Sequence, residues 1–305
     1  MAVLSLYTTI YPGVERYLGD WYRSLVNQTD HGFQVWIGLD TVEVDAAKEA
    51  MGGDPEATWI PSAPGDTPAQ IRQRALTRVV GSCDAVVLVD SDDAMHPSRV
   101  ASARVLLRTH DLVGCALRLV DERGNDLGAS LRLPLDATPE AILPRCNLFG
   151  LSNSAFRSDL LRRCLPIPAG VTLVDWFLAT RAWLLEARFA FDNETLMDYR
   201  QHGGNMVRVV PPFDEAQVTR DTERARRHFR VVQASFPYGA ALQRRTDLAR
   251  VAADVDTFHR QVVMNPERLE QYVQAINALG IAPLWGSSVA NPILQHMWTS
   301  EEETA

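Results

Sequence analysis

The sequence lacks any uninterrupted apolar run long enough to cross a membrane. A transmembrane helix needs about 18 to 20 consecutive apolar residues, and no segment of the 305-residue chain is that long. The N-terminal stretch MAVLSLYTTIYPG contains no basic residue and therefore favours a first β-strand over a secretory signal. From these two absences we expect a soluble, cytoplasmic protein.

Cysteine is scarce and irregularly spaced. The four cysteines occupy positions 83, 115, 146 and 164, and none belongs to a C-x-x-C pair. In a chain of this size, that distribution argues against both a disulfide framework and a cysteine-based zinc site. We expect reduced, partly buried thiols.

The chain also lacks an excess of basic charge. Its 30 Lys and Arg residues are outnumbered by 38 Asp and Glu residues, which gives a formal net charge of −8. Proteins that bind nucleic acid usually carry a basic stripe, so this balance argues against a nucleic-acid partner. It leaves nucleotide sugars open as ligands, because a metal ion screens a pyrophosphate locally.

Short apolar runs alternate with amphipathic segments in the first half of the chain. This alternation is typical of a mostly parallel sheet that is covered by helices. The continuous Val and Leu run at 85–89 indicates a strand buried on both faces. The predicted strands are 3–7, 33–39, 57–60 and 85–89, and the predicted helices are 14–26, 68–80 and 97–108.

The pattern changes in the second half. Runs at 112–120 and 127–133 flank a turn-rich segment and predict a hairpin. We further predict strands at 147–156 and 195–200, and helices at 174–187, 214–234, 239–263 and 266–279. Because the composition shifts after Pro211-Pro212, we predict a catalytic domain over 1–212 and a helical region over 213–305. The C-terminal helices are candidates for covering a binding site, for forming a homodimer or for docking on a partner.

The sequence AVVLVDSDD at 85–93 places three carboxylates at the end of a buried strand, where open α/β sheets bind ligands. Asp90, Asp92 and Asp93 repel one another, so a divalent cation such as Mn²⁺ or Mg²⁺ is their natural partner. Such an ion would bridge two phosphate oxygens and offset the charge of a leaving diphosphate. The alternatives are a solvated turn that caps the next helix, and a D-x-D-x-T phosphatase, which would carry Thr or Val in place of Asp93.

Two further residues lie where a nucleotide would bind at this sheet edge. Asp40 ends the second predicted strand, where it either accepts a hydrogen bond from the imide N–H of uracil or thymine, or forms a turn. Arg72 and Arg74 lie on different faces of the helix at 68–80 because they are two residues apart. We expect Arg72 to reach the nucleotide or diphosphate and Arg74 to be solvated.

Asp175 is the candidate general base. It lies at the start of the helix at 174–187, where a carboxylate also serves as a cap or a partner of the helix dipole. An inverting sugar transfer removes a proton from the acceptor hydroxyl, and the base must lie across the sugar from the metal and diphosphate. A base on a separate segment meets that requirement.

His202 lies in the sequence YRQHGGNM at 199–206. The two glycines after it allow the backbone to approach a ligand closely. His202 is therefore a candidate ligand of the metal or of a phosphate oxygen, and the alternative is an ordinary surface histidine.

Together these segments resemble the family 2 glycosyltransferases over residues 1–210, and VLVDSDD and YRQHGGNM are the most specific parts. The resemblance implies an α/β GT-A fold, an inverting mechanism, Asp175 as catalytic base and Asp92 as the chief metal ligand of a DXD motif. It implies that His202 contacts the metal or diphosphate. The residues it assigns to the nucleotide sugar are Thr8, Thr9, Tyr11, Asp40, Arg72, Asp90 and Ser91.

Val174 departs from the acidic pair that such enzymes often carry at the base position. We expect a metal-dependent inverting glycosyltransferase that moves a sugar from a UDP- or dTDP-linked donor to a hydroxyl group of a glycan or other acceptor. One alternative is a sugar-nucleotide-binding scaffold without turnover, which the departure at Val174 supports. Another is a nucleotidyltransferase, which would show a Gly-rich N-terminal loop with a Lys or Arg, whereas Tyr11-Pro12-Gly13 offers one glycine and no lysine.

Overall fold

The computed structural model describes residues 3–203, 209, 211–281 and 283–299, so residues 204–206 of the YRQHGGNM segment lie outside the described part. A π-helical turn (His259–Val263) directly follows the helix Leu242–Phe258, and a 3-10 helix spans Pro292–Met297. The strands are β1 (Leu4–Ile10), β2 (Phe33–Leu39), β3 (Thr58–Pro61), β4 (Ala85–Leu88), β5 (Ala94–Met95), β6 (Leu112–Val120), β7 (Asp126–Leu131), β8 (Ser154–Arg157) and β9 (Phe189–Arg200). The helices are α1 (Glu15–Val26), α2 (Val44–Met51), α3 (Pro68–Val79), α4 (Arg99–Leu106), α5 (Pro139–Ile142), α6 (Ser158–Cys164), α7 (Val174–Leu184), α8 (Glu215–Ala234), α9 (Leu242–Phe258) and α10 (Pro266–Ala278).

The strands of the described residues form one sheet in the order β3-β2-β1-β4-β8-β6-β9-β5, with β7 paired to β6. The first four strands in this order are parallel, as the alternation of strands and helices predicts. In the other half β6 and β9 are parallel, whereas β8 runs antiparallel between β4 and β6. The carboxyl ends of β2, β1 and β4 therefore lie side by side at one edge of the sheet.

Most predicted elements agree with the structure, and the predicted ends of β2 and β6 are those observed. The predicted strand at 147–156 is wrong over residues 147–153, which form a loop before β8. The N–H groups of Phe149 and Gly150 bind side-chain oxygens of Asn147 and Asn153, so they are not available to a neighbouring strand. Helix α2 was not predicted.

The buried core is continuous from the sheet into the C-terminal helices. Strands β1 and β4 are buried along their whole length, which agrees with the apolar run at 85–89. The predicted helices after Pro212 are confirmed as α8, α9 and α10. Helix α8 packs on α7, where the ring of His228 stacks on Trp176 with centroids 4.4 Å apart. The division between 1–212 and 213–305, and a homodimer through the second part, stay predictions.

Two features of the composition can be followed in the described part of the chain. All four cysteines are free thiols, and two of them are fully buried. None of the helices found there combines the length and the apolar character needed to span a lipid bilayer.

His228 is expected to make stability depend on pH. Burial lowers the pKa of this histidine to about 3, whereas an unfolded histidine has a pKa of about 6.5. Because the folded pKa is the lower one, the unfolded state binds the proton first as the pH falls. The contribution of His228 to stability is therefore complete above pH 6.5 and is lost progressively toward pH 3. The loss between pH 7 and pH 5 is about 2 kcal/mol.

Urea unfolding of the wild type and of His228→Gln at both pH values measures this contribution. The wild type minus variant difference in the free energy of unfolding should be about 2 kcal/mol smaller at pH 5 than at pH 7. The buried carboxylates, whose pKa values are raised, act in the opposite direction but cancel in the comparison. The exposed His31 supplies the control His31→Gln. A pH dependence that is the same with and without His228 would contradict the prediction.

Candidate active site

A cleft of about 320 Å³ opens at the sheet edge where β1, β2 and β4 end. Main-chain bonds bring these ends together: the N–H of Asp40 donates to the carbonyl of Ile10 at 2.8 Å, and that of Val89 donates to Tyr7 at 3.0 Å. Seven of the sequence-predicted site residues line the cleft, namely Thr9, Tyr11, Asp40, Arg72, Asp90, Asp92 and Asp175.

Thr8 and Ser91 lie beneath the cleft and do not line it. Both are fully buried, and the hydroxyl of Ser91 donates to the main-chain carbonyl of Thr9 at 2.7 Å. This bond ties the acidic segment after β4 to the end of β1. Ser91 therefore shapes the site from within the fold.

Asp92 is the acidic residue whose side chain contacts other predicted site residues. The hydroxyl of Tyr11 donates to its Oδ2 at 2.9 Å, and Nε2 of His202 lies 3.0 Å from the same oxygen. His202 does not line the cleft itself, but this contact brings the segment after β9 to the acidic motif. The ring of His202 also lies against Tyr17, with centroids 5.2 Å apart.

Asp93 turns into the protein and differs in role from its neighbours. Its Oδ1 accepts the main-chain N–H of Arg200 at 2.7 Å, and its Oδ2 accepts the hydroxyl of Ser152. Burial raises its pKa well above the ordinary value, and the charge of Asp92 adds to the effect. Asp93 thus anchors the acidic segment to β9 and is not exposed to a ligand.

Asp90 is the member of the acidic motif that lies nearest to Arg72. Burial, reinforced by the charge of Asp92, raises the pKa of Asp90 to about 7. The guanidinium of Arg72 opposes this shift from 3.9 Å. Arg74 points elsewhere and pairs with Asp66, so the expectation that Arg74 is simply solvated is wrong.

The described residues fit a divalent cation only in part. Among them, no three His, Cys, Asp or Glu side chains are grouped as a complete metal site. Asp92 and His202 present an oxygen and a nitrogen that converge at 3.0 Å. Such a pair would leave the other positions around an ion to phosphate oxygens and water, and its imidazole nitrogen is not a ligand that Mg²⁺ prefers.

Asp175 enters the cleft from the first turn of α7, a different segment from the acidic motif. Nδ2 of Asn147 donates to its Oδ2 at 2.9 Å. Burial raises the pKa of Asp175, and the positive charge of Arg72 lowers it. Because Arg72 acts on both Asp90 and Asp175, one arginine links the two groups of carboxylates electrostatically.

Solved structures with a similar arrangement of strands and helices identify the fold. S. aureus TarS 1–349 in complex with UDP matches with a TM-score of 0.57 and 18% identity, over 91% of this chain and 79% of that one. The mannosyltransferase PcManGT from Pyrobaculum calidifontis, in complex with GDP-Man and Mn²⁺, matches with a TM-score of 0.57 and 13% identity, over 97% and 79%. This is a glycosyltransferase fold.

A further S. aureus TarS structure matches with a TM-score of 0.56 and 17% identity, and this chain covers 48% of its length. No protein-family model matches the sequence, and no curated protein sequence is significantly similar to it. The glycosyltransferase fold is therefore established by the three-dimensional arrangement.

In this glycosyltransferase fold, the C-terminal region also contributes to the cleft, through residues that the sequence analysis did not single out. Trp285 reaches the cleft over Gly150, where an added Cβ would lie 2.7 Å from the indole. The next residue, Gly286, has a φ of +88°, a backbone conformation that favours glycine. No sequence pattern near Trp285 signals this position. The other cleft residues that were missed include Asn147, Ser152, Tyr199, Asp221 and Arg224.

Proposed function

We propose that this protein is a metal-dependent inverting glycosyltransferase that moves a sugar from a nucleoside diphosphate to a hydroxyl group. The observation that carries the proposal is that one cleft of a glycosyltransferase fold holds an acidic motif at a strand end and, on a separate helix, the half-buried Asp175. The acidic motif suits a donor that carries a diphosphate, and Asp175 suits an acceptor whose hydroxyl must lose a proton.

The donor is bound at the strand ends. Asp40 accepts a hydrogen bond from the base of the nucleotide, and Thr9 and Tyr11 border the same part of the cleft. Arg72 binds the diphosphate. Asp92 and His202 would hold the cation, which supplies positive charge to the leaving diphosphate when it is bound.

Asp175 acts on the acceptor. Its carboxylate takes the proton of the acceptor hydroxyl while the hydroxyl oxygen attacks the anomeric carbon, and the bond from that carbon to the diphosphate breaks with its electron pair. Burial raises the pKa of Asp175, which brings its basicity closer to neutral pH and makes proton transfer more effective there. Trp176, Asp221 and Trp285 form the adjoining wall and are the residues we assign to the acceptor.

A thermal-shift screen of nucleoside diphosphates with Mn²⁺ tests the donor site. UDP and dTDP should stabilise the protein equally, by about 2.7 kcal/mol at 100 times the dissociation constant, because their imide edges are the same. CDP should bind on the order of tenfold more weakly, since cytosine lacks the imide N–H that Asp40 accepts.

Asp40→Ala is the matching variant, and it should remove the preference for UDP over CDP while leaving CDP binding nearly unchanged. GDP belongs in the same screen, since guanine also carries a ring N–H beside a carbonyl. Equal stabilisation of the wild type by UDP and CDP would contradict the role of Asp40.

A further inference from the structure

We propose that Asn147 is a positioning residue that orients the carboxylate of Asp175, and that the C-terminal segment around Trp285 holds Asn147 in place. This inference rests on the proposed function of Asp175 as the base. It makes the C-terminal region part of the machinery for proton transfer.

The hydrogen bonds of Asn147 define which way its side chain faces. Its Oδ1 accepts the main-chain N–H of Phe149 at 3.0 Å. A main-chain N–H can only donate, so the side-chain atom that faces it must be the amide oxygen. The Nδ2 end must then point at Asp175, where it donates to Oδ2 at 2.9 Å. Asn147 is 1% exposed, so water does not compete for these bonds.

This bond acts on the charged form of Asp175. A donor to a carboxylate stabilises the anion, and here it opposes the burial that raises the pKa of Asp175. The neighbouring Val174 is buried and carries no polar group that could take this role. Asn147 therefore supplies a side-chain hydrogen bond to Asp175 from a separate loop.

Trp285 holds the loop of Asn147 from the other side. Its main-chain carbonyl accepts the N–H of Asn147 at 2.9 Å. Its indole covers Gly150 in the same loop and meets the ring of Tyr199 edge-on, with centroids 5.8 Å apart. A chain of two hydrogen bonds thus runs from the C-terminal segment through Asn147 to Asp175.

Asn153 offers a matched control for damage to the loop. It is also fully buried in that loop, where its Nδ2 donates to the carbonyl of Cys115 at 2.8 Å and its Oδ1 accepts the N–H of Gly150 at 2.7 Å. It binds main-chain groups only and makes no hydrogen bond to Asp175. Asn147→Ala and Asn153→Ala therefore remove the same side-chain atoms, but only the first removes the donor to the base.

The experiment titrates the full-length protein labelled with ¹³C at the aspartate carboxyl groups, with the Asp175 signal assigned through Asp175→Asn. Its midpoint should rise by about one pH unit in Asn147→Ala and stay in place in Asn153→Ala. Asn147→Ser covers the case in which the alanine variant does not fold, because a serine hydroxyl still accepts a main-chain N–H but is too short to reach Asp175. It should show the same rise.

Turnover provides the second measurement. The acidic limb of kcat/KM should move upward together with the midpoint in the Asn147 variants, while the dissociation constant of UDP stays within twofold. An unmoved Asp175 midpoint, or an equal shift in Asn153→Ala, would overturn the inference. Absence of turnover in the wild type would instead overturn the proposed function, and the titration distinguishes the two results because it needs no substrate.

Discussion

Asp175→Asn is expected to lower kcat by about 10²–10⁴ while the dissociation constant of the donor stays within twofold. Asparagine keeps the shape of the side chain and still accepts the hydrogen bond from Nδ2 of Asn147 through its own oxygen. It cannot take a proton from the acceptor. The donor is assigned to Asp40, Arg72 and Asp92, which this change leaves intact.

Helix α2 provides the control for this substitution. It begins Val44-Asp45 as α7 begins Val174-Asp175, so Asp45 has the same place in the first turn, but it is exposed and does not line the cleft. If Asp175 acted only on the helix dipole, the variants Asp175→Asn and Asp45→Asn would have the same small effect on stability and none on turnover.

A turnover assay beside a UDP titration therefore separates an enzyme from a scaffold. Wild-type turnover in Asp175→Asn would remove this residue from the mechanism. A wild-type protein that binds UDP but transfers no sugar would favour the scaffold without turnover, the alternative to which Val174 points.

Removal of divalent metal is expected to weaken UDP binding on the order of a hundredfold. In the proposed complex the diphosphate lies close to Asp90 and Asp92, and the charge of Asp92 adds to the burial that raises the pKa of Asp90 to about 7. A cation between these groups and the phosphates offsets their repulsion, and a hundredfold loss of affinity corresponds to about 2.8 kcal/mol, since each 1.4 kcal/mol is a factor of ten.

Calorimetry with UDP in Mn²⁺ and in chelator measures the effect, and uridine is the control ligand because it carries no phosphate. Asp92→Asn should weaken UDP binding in Mn²⁺ to a similar degree, and chelator should then weaken it little further, since both changes remove the same interaction. Equal affinity for UDP in Mn²⁺ and in chelator would contradict the metal role of Asp92.

Local patterns determined the parts of this protein that depend on neighbours in the sequence. The run at 85–89 is buried as β4 because Val and Leu there leave no polar face, and the acidic motif follows where that strand ends. The difference between Arg72 and Arg74 follows from helical geometry: the first meets Asp90 and the second pairs with Asp66.

Only the tertiary structure decided which distant residues meet. Asp92 contacts His202 across 110 positions, Asn147 contacts Asp175 from another segment, and Trp285 contacts Asn147 from a third. The side of the strand end to which each carboxylate turns depends on the packing of β9, which is why Asp93 is bound by Arg200 and Ser152 and is not a ligand candidate. Such contacts depend on how whole elements pack, and no periodicity along the chain encodes them.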